Sequence, residues 1–176
     1  MSMTVKDLKQ FRDNLERLKD KAPQVMEKIL VGEGVYAVGQ ARKIVTAYGA
    51  VNTGEYRRGF HTGNKKFQGE PSNQPHDGSN PRRQGKTWRI DVYNNLDYAS
   101  FLEMGFRSHF VPGHWEGKTF VYEPGSPEGM YVGPKNGYVE GIFALRTAIR
   151  RTEMTQPARI QRKFTQIIGE ELEKGL

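Results

Sequence analysis

Leu8, Phe11, Leu15, Leu18, Ala22, Val25 and Ile29 recur at alternating intervals of three and four residues, with mostly polar side chains between them. That spacing puts an apolar stripe on one side of an α-helix, three heptads long with an a/d seam. Thr4 with Asp7 resembles a capping box at its start, and Val35, Val38, Ala41 and Val45 carry the helix to about Tyr48. Pro23 either sits in the first turn of a second helix or kinks a continuous one. Gly32, Gly34 and Gly39 lower the helix's intrinsic stability and let another backbone come close. Such a stripe covers a sheet of its own domain, the commoner arrangement, or packs against a partner subunit.

The period changes after residue 52. Residues 53–62 predict a turn feeding a strand, with Tyr56, Arg58 and Phe60 alternating against Arg57 and His61. Residues 68–86 contain no aliphatic side chain and read as a mobile loop, longer than a compact domain keeps without a use for it. Trp88, Ile90 and Val92 then alternate with Arg89, Asp91 and Tyr93, which predicts a half-buried strand over 87–93. Asn94-Asn95 turns the chain, Asp97 is placed to cap a short helix carrying Tyr98, Phe101 and Leu102 on one face, and Gly105 can end it.

Residues 106–138 hold Pro112, Pro124, Pro127 and Pro134 and many glycines, and predict a second long excursion with one short strand over 119–122. Val139, Ile142, Phe143, Leu145 and Ile149 predict a helix. After a break near Thr155, Pro157 falls at the first position of another, striped by Ile160, Phe164, Ile167, Ile168 and Leu172. No crossover helices separate the strands. The fold class is therefore α+β, a small and mainly antiparallel sheet packed by a long N-terminal helix and C-terminal helices, with long projecting loops. The 176 residues form one domain: a helical part over 4–48, sheet, short helix and loops over 53–136, and C-terminal helices over 137–174.

Composition changes this picture in three ways. A hydrophobic content of 36% and a mean hydropathy of -0.73 leave a modest core, as in a subunit completed by its neighbours. Cysteine is absent, which removes disulfides, thiolate catalysis and cysteine-zinc sites. No segment has an apolar signal core or the roughly 20 apolar residues of a membrane span, so a protein kept in the cytoplasm is expected. The net charge of +7 is also uneven. Residues 56–89 carry eight basic residues against two acidic ones, while 90–136 carry three against six. The basic strip can face nucleic acid, meet the acidic segment of an identical neighbour, or simply solvate a loop.

Candidate chemistry is sparse. His109 and His114 lie near Glu103 and Glu116 but lack any spacing that builds a tetrahedral metal site, and His61 and His76 read as surface groups. Glu103 has no partner at a spacing that supports acid/base work; an ion pair with Arg57 or Arg58, bracing the short helix against the sheet, is the expected role. Residues 129–135 depart from the phosphate-loop pattern GxxxxGK[ST]. Tyr56, Phe60, Phe67 and Trp88 interleave with the basic strip and could stack bases, although no recognised nucleic-acid motif accompanies them.

Thr53-Gly54-Glu55-Tyr56-Arg57, Val92-Tyr93-Asn94, Tyr98-Ala99 and Glu103-Met104-Gly105, in that order around a basic loop and between terminal helices, resemble the tail-completion or head-tail joining (neck) proteins of tailed bacteriophages, often called minor tail or minor capsid proteins. The resemblance spans residues 25–150. Tyr56 stands where the family has an aliphatic residue, no proline precedes Thr53-Gly54, and the 106–138 loop is longer than the family's. The resemblance implies a non-enzymatic virion protein without cofactors or metal, assembled in the bacterial cytoplasm as a ring of six between tail tube and head connector. Thr53, Gly54, Arg57, Val92, Asn94, Tyr98, Ala99, Glu103 and Gly105 are its motif residues. Lys65, Lys66, Arg82, Arg83 and Lys86 would form an interface loop, or line a channel in transient contact with phage DNA. The expected partners are copies of itself, tail-tube or terminator proteins and head-connector proteins, with no membrane. The alternative is a cytoplasmic module binding nucleic acid without sequence preference through residues 57–89.

Overall fold

The computed structural model describes residues 5–50, 53–66, 70–134 and 137–173, with side chains described from Lys9 to Glu170 except Phe11; Thr4, and with it the expected capping box, lies outside them. It is α+β: a long helix near each end of the chain, with short antiparallel ladders between them in sequence. The chain divides into two compact units, one made of residues 1–95 and 144–176, the other of Leu96–Phe143.

The first unit is built on α1 (Val5–Ala47), α2 (Glu55–Arg58), β1 (Phe60–Gly63), β2 (Arg82–Gln84), β3 (Thr87–Arg89), β4 (Asp91–Asn94) and α4 (Ala144–Glu173). α1 runs unbroken through Pro23, which lies exposed. Its apolar stripe meets α4, β1 and β4, and the core of the unit is Ile29, Ala37, Val38, Ala41, Ile44, Val45, Tyr56, Phe60, Tyr93, Ala144 and Ala148. The helix thus covers strands of its own unit, the commoner of the two arrangements. Earlier in the stripe Leu15 stays 47% exposed. Gly34 is where α1 meets β1, since a Cβ there would fall inside the Thr62 side chain.

Between α1 and α4, Arg159 bonds Glu33 with Nε at 3.1 Å from Oε1 and stacks 3.8 Å over the Tyr36 ring. Glu33 is buried, so this is an ion pair removed from water and held by ring contact as well as charge. The Glu33 bond holds the Arg159 guanidinium pKa above its ordinary value, against the opposing effect of burial.

α4 also corrects an expectation. One helix starts at Ala144 and passes straight through Pro157, where two helices were predicted. Proline removes a backbone bond, and side chains meet carbonyls of the turn before it. Thr155 Oγ1 donates to Arg151 O at 3.1 Å and Arg159 Nη2 to Thr152 O at 3.0 Å. Val139 belongs to a strand, and Ile142 and Phe143 precede the helix.

The turn-and-strand reading of 53–62 is half right. Gly54 takes a left-handed conformation (φ 78°) and leads into the single helical turn α2, which buries Tyr56 before β1 begins. The described part of the predicted loop, residues 70–86, is more ordered than a mobile loop. Thr62 N donates to Pro75 O (2.8 Å), Asp77 N to Thr62 O (3.0 Å) and Ser72 N to Arg58 O (3.2 Å), and the segment ends in the β2–β3 hairpin. The predicted strand over 87–93 is two, β3 pairing with β2 and β4 with β1, in the register Phe60 to Asn94 and Gly63 to Asp91.

The second unit contains α3 (Ala99–Met104), β5 (Gly105–Arg107), β6 (His109–Glu116), β7 (Thr119–Tyr122), β8 (Gly129–Val132) and β9 (Tyr138–Glu140). The expected loop over 106–138 is mostly strand, an antiparallel β7-β6-β8 sheet beside a β5–β9 ladder. Prolines and glycines misled the reading because they sit where a short three-stranded sheet tolerates them. Pro112 pairs with Gly129 at the end of the β6–β8 ladder, and Gly113 and Gly129 leave room for the rings of Phe120 and Phe110.

α3 starts at Tyr98 without a side-chain cap, so Asp97 does not cap it. Gly105 ends it with φ 82° and ψ 177°, and a side chain there would strike the Val139 carbonyl. The orphan carbonyls of α3 are met across the chain: Ile142 N donates to Leu102 O (2.8 Å), Phe143 N to Glu103 O (3.0 Å), and the Tyr138 hydroxyl to Met104 O.

Candidate functional site

Two places in the structure gather unusual chemistry, one in each unit. In the first unit, Arg42 on the inward side of α1 points at the strand and loop beyond α2. Its guanidinium donates to four backbone carbonyls, Asn73 O at 2.7 Å, Phe60 O at 2.9 Å, Ser72 O at 2.9 Å and, more weakly, Arg58 O at 3.4 Å. One cation thereby ties α1, β1 and the 70–77 segment together, each charge-assisted bond worth about 1.5–3 kcal/mol. Arg42 Nε is buried without a partner among the described residues, and burial, then the nearby Arg57 charge, lowers the Arg42 pKa from its ordinary value.

Beside Arg42, His61 is buried rather than exposed, its ring 6.1 Å from that of Tyr93. Burial, followed by the Arg42 charge, lowers its pKa and favours the neutral ring. His76 is half-buried, with Nε2 3.0 Å from Ser79 O. Asp77 organises the next layer. Its carboxylate accepts from Asn64 N (2.8 Å), Ser79 N (2.8 Å), the Tyr93 hydroxyl (2.6 Å) and the Ser79 hydroxyl. Burial pushes this carboxyl up, but the bonds from Ser79, Tyr93 and Asn64 outweigh it and hold its pKa at about 2. Burial and the same carboxylate push Tyr93 up. Gly63 (φ 139°) is required here, since a side chain would overlap Asp77. This is a bracing network centred on the Asp77 carboxylate, although His61 Nε2, like Arg42 Nε, is buried without a partner among the described residues.

Behind Arg42 lies an open cavity of about 460 Å3, lined by Arg42, Lys43, Thr46, Ala47, Arg57, Arg58 and Asn73. Arg57 Nη1 reaches Thr46 Oγ1 at 3.5 Å, and Arg58 Nη1 reaches Thr53 O at 3.3 Å. The strip predicted to face a partner is otherwise engaged. Arg82 is bonded to both oxygens of Asp91 (2.7 and 2.8 Å), and Arg83 lies 5.6 Å over the Trp88 ring. Lys65, Lys66 and Lys86 are exposed; the amides of Lys65 and Lys66 bond Asp91 Oδ2 (3.1 Å) and Asn64 Oδ1 (3.1 Å).

The second unit presents a different surface. Phe110 and Tyr131 meet across β6 and β8 with ring centres 5.5 Å apart, Trp115 and Phe120 across β6 and β7 at 5.4 Å. Phe110, Trp115, Tyr122 and Tyr131 are 42–62% exposed, as are Phe101 (54%), Met104 (65%) and Tyr138 (55%). Within Leu96–Phe143 the only buried described residues are Ala99, Gly113 and Gly141. A sheet carrying this many aromatics and no buried large side chain has not used them on its own fold. His114 sits between two carboxylates, 3.4 Å from Glu116 and 3.4 Å from Glu123, and His109 bonds Arg107 O; no group of metal-ligating side chains stands together among the described residues.

The motif residues divide between the units. Thr53, Gly54, Arg57, Val92 and Asn94 lie in the first, where Asn94 Nδ2 donates to Tyr56 O at 2.9 Å and Thr53 Oγ1 accepts from Glu55 N at 3.3 Å. Tyr98, Ala99, Glu103 and Gly105 build α3 in the second: Ala99 is buried, Glu103 half-buried and Tyr98 39% exposed. Sequence reasoning passed over Arg42 and Asp77. Arg42 is next to the core residue Ala41 on the helix, and Asp77 sits in a polar segment, so neither carried a local signal.

Bracing networks hold the first unit together, and the sheet of the second leaves its aromatic rings exposed. Residues 9–105 match the family described as "Bacteriophage HK97-gp10, putative tail-component". That span is more than half of the chain and contains all four motif segments, and the protein belongs to this family of phage tail components, parts of the virion. No curated protein and no solved structure matches the chain. Among the described residues no helix is long and apolar enough to cross a membrane.

Proposed function

We propose that this protein is a structural subunit of the phage neck that assembles with copies of itself into a ring of six, joining the tail tube to the head connector, with no catalytic step. The observation that supports assembly is the second unit, whose aromatics lie exposed on a sheet without a buried large side chain. Three short strands that bury so little are marginal in water, and a small sheet that leaves this many aromatic rings exposed is suited to being covered in an assembly. Charge supports a head-to-tail contact between copies. Leu96–Phe143 carries three basic and six acidic residues, net -3, leaving +10 on the remainder of a chain whose total is +7. Unlike surfaces that meet in this way generate closed rings when the rotation closes.

Native mass spectrometry of the full chain at rising concentration, alone and with tail-tube and connector proteins, tests this reading. Oligomers, or complexes with either partner, are expected. A persistent monomer with both partners present overturns it. The β2–β3 hairpin is not assigned to DNA, because Arg82 is neutralised by Asp91 and Arg83 is stacked on Trp88.

A further inference from the structure

We propose that the cavity formed by the end of α1, α2 and Asn73 is a phosphate-binding site, with Arg42, Lys43, Arg57 and Arg58 as its cations. The proposal is independent of ring assembly and uses residues other than the β2–β3 hairpin.

Four cations converge on one concavity of about 460 Å3, and its lining contains no carboxylate. Three arginines elsewhere have acidic partners: Arg12 with Asp13, Arg82 with Asp91, Arg159 with Glu33. None of the four cations here has a carboxylate partner among the described residues; Arg42, Arg57 and Arg58 bond only neutral oxygens. Concentrated like charge costs folding energy unless a counter-charge offsets it. The lowered Arg42 pKa, traced to burial and to Arg57, reports that cost.

These cations are not needed to cap the helix. The closing carbonyls of α1 are already satisfied by backbone, Tyr48 N to Ile44 O at 3.0 Å, Gly49 N to Thr46 O at 3.1 Å and Ala50 N to Val45 O at 3.3 Å, and Thr46 Oγ1 donates to Arg42 O at 2.9 Å. Nor is the site loosely held. Arg42 is fixed by its four carbonyls, and Gly54 in its left-handed conformation leads into α2, which carries Arg57 and Arg58. With Arg42 spent on carbonyls and contributing its charge, the guanidinium forks of Arg57 and Arg58 beside the exposed Lys43 suit a tetrahedral, multiply charged oxyanion better than a single carboxylate. The phosphate can belong to a nucleic-acid backbone or to a small phosphorylated compound.

The test is calorimetric titration of the full chain with inorganic phosphate, with a DNA duplex of about 20 base pairs, and with sodium acetate and a polyglutamate peptide at matched ionic strength. The comparison is between the natural chain, the Lys43→Ser/Arg57→Ser variant, and Lys65→Ser/Lys66→Ser as a control that removes the same charge elsewhere. Arg42 is left intact because it braces the fold, and circular dichroism checks that each variant is folded. Phosphate or duplex should bind, and the Lys43/Arg57 variant should bind about tenfold more weakly or worse while the control does not change. Duplex binding alone assigns a nucleic-acid backbone, and inorganic phosphate binding a small phosphorylated compound. Acetate or polyglutamate binding as tightly as phosphate, equal loss in the control, or no binding by either phosphate ligand overturns the proposal.

Discussion

The unit made of residues 1–95 and 144–176 buries Ile29, Val38, Val45 and Phe60 almost completely and ties its elements with Arg42, Asp77 and the Glu33–Arg159 pair, whereas Leu96–Phe143 buries only Ala99, Gly113 and Gly141 among its described residues. Both have ladders, turns and aromatic contacts. The difference lies in where the aromatics end up: Tyr56 and Phe60 pack edge to face at 5.1 Å inside the first unit, while Phe110 and Tyr131 do the same at 5.5 Å in the open. The first unit therefore holds its own stability. The second is shaped by backbone bonds and needs a covering surface to gain the free energy of its apolar area.

The sharpest way to break this contrast is truncation of equivalent rings. Phe60→Ala should cost about 3–5 kcal/mol in denaturant unfolding, while Trp115→Ala should change monomer stability by about 0.5 kcal/mol or less. Comparable losses would mean that the second unit has a core after all. Next, Arg159→Ala strands buried Glu33 and should cost about 3–5 kcal/mol, and pairing it with Glu33→Gln should recover a substantial part; a near-neutral single variant would contradict burial of the pair.

On the other side, Trp115→Ser with Tyr131→Ser should weaken self-association about tenfold or more in sedimentation velocity while leaving the melting temperature of the monomer in place. Unchanged association would remove the aromatic sheet from the interface.

Acid should then act on the first unit in two steps. The depressed His61 pKa means that the unfolded chain takes up a proton more readily, so stability is full above the unfolded value of about 6.5 and falls as pH drops below it. For Asp77, held at about 2, the contribution is present above the unfolded value of 3.8 and is lost as pH falls from there towards 2. His61→Gln should abolish the first step and Asp77→Asn the second, read by thermal melts across pH. A small effect is also expected from Arg82→Ser, about 0.2–1 kcal/mol, because the Arg82 side chain is half exposed and its pair with Asp91 is screened by solvent.

Some of this was legible in the residues and some was not. The 3-4 spacing from Leu8 to Val45 marks α1 because periodicity of that length survives local exceptions, and even Pro23 did not break it. The same reasoning failed at Pro157, where Thr155 and Arg159 supply bonds to backbone carbonyls from positions that a proline rule does not inspect. It failed again over 106–138, because the prolines and glycines that signal loops also occur in short, open strands.

The sequence by itself determined whatever depends on neighbours along the chain: the helical stripes at both ends, the α+β class, the strand and turn leading to Gly105, and the order of motifs that marks the family. Those signals are local, repeated or fixed in spacing. Only the tertiary structure decided that His61 is buried, that Asp77 receives four bonds, that Arg42 gathers four carbonyls beside Arg57 and Arg58, and that Leu96–Phe143 leaves its rings uncovered. Each of these joins groups far apart in the chain or depends on solvent access, and no local pattern encodes which distant residue will arrive.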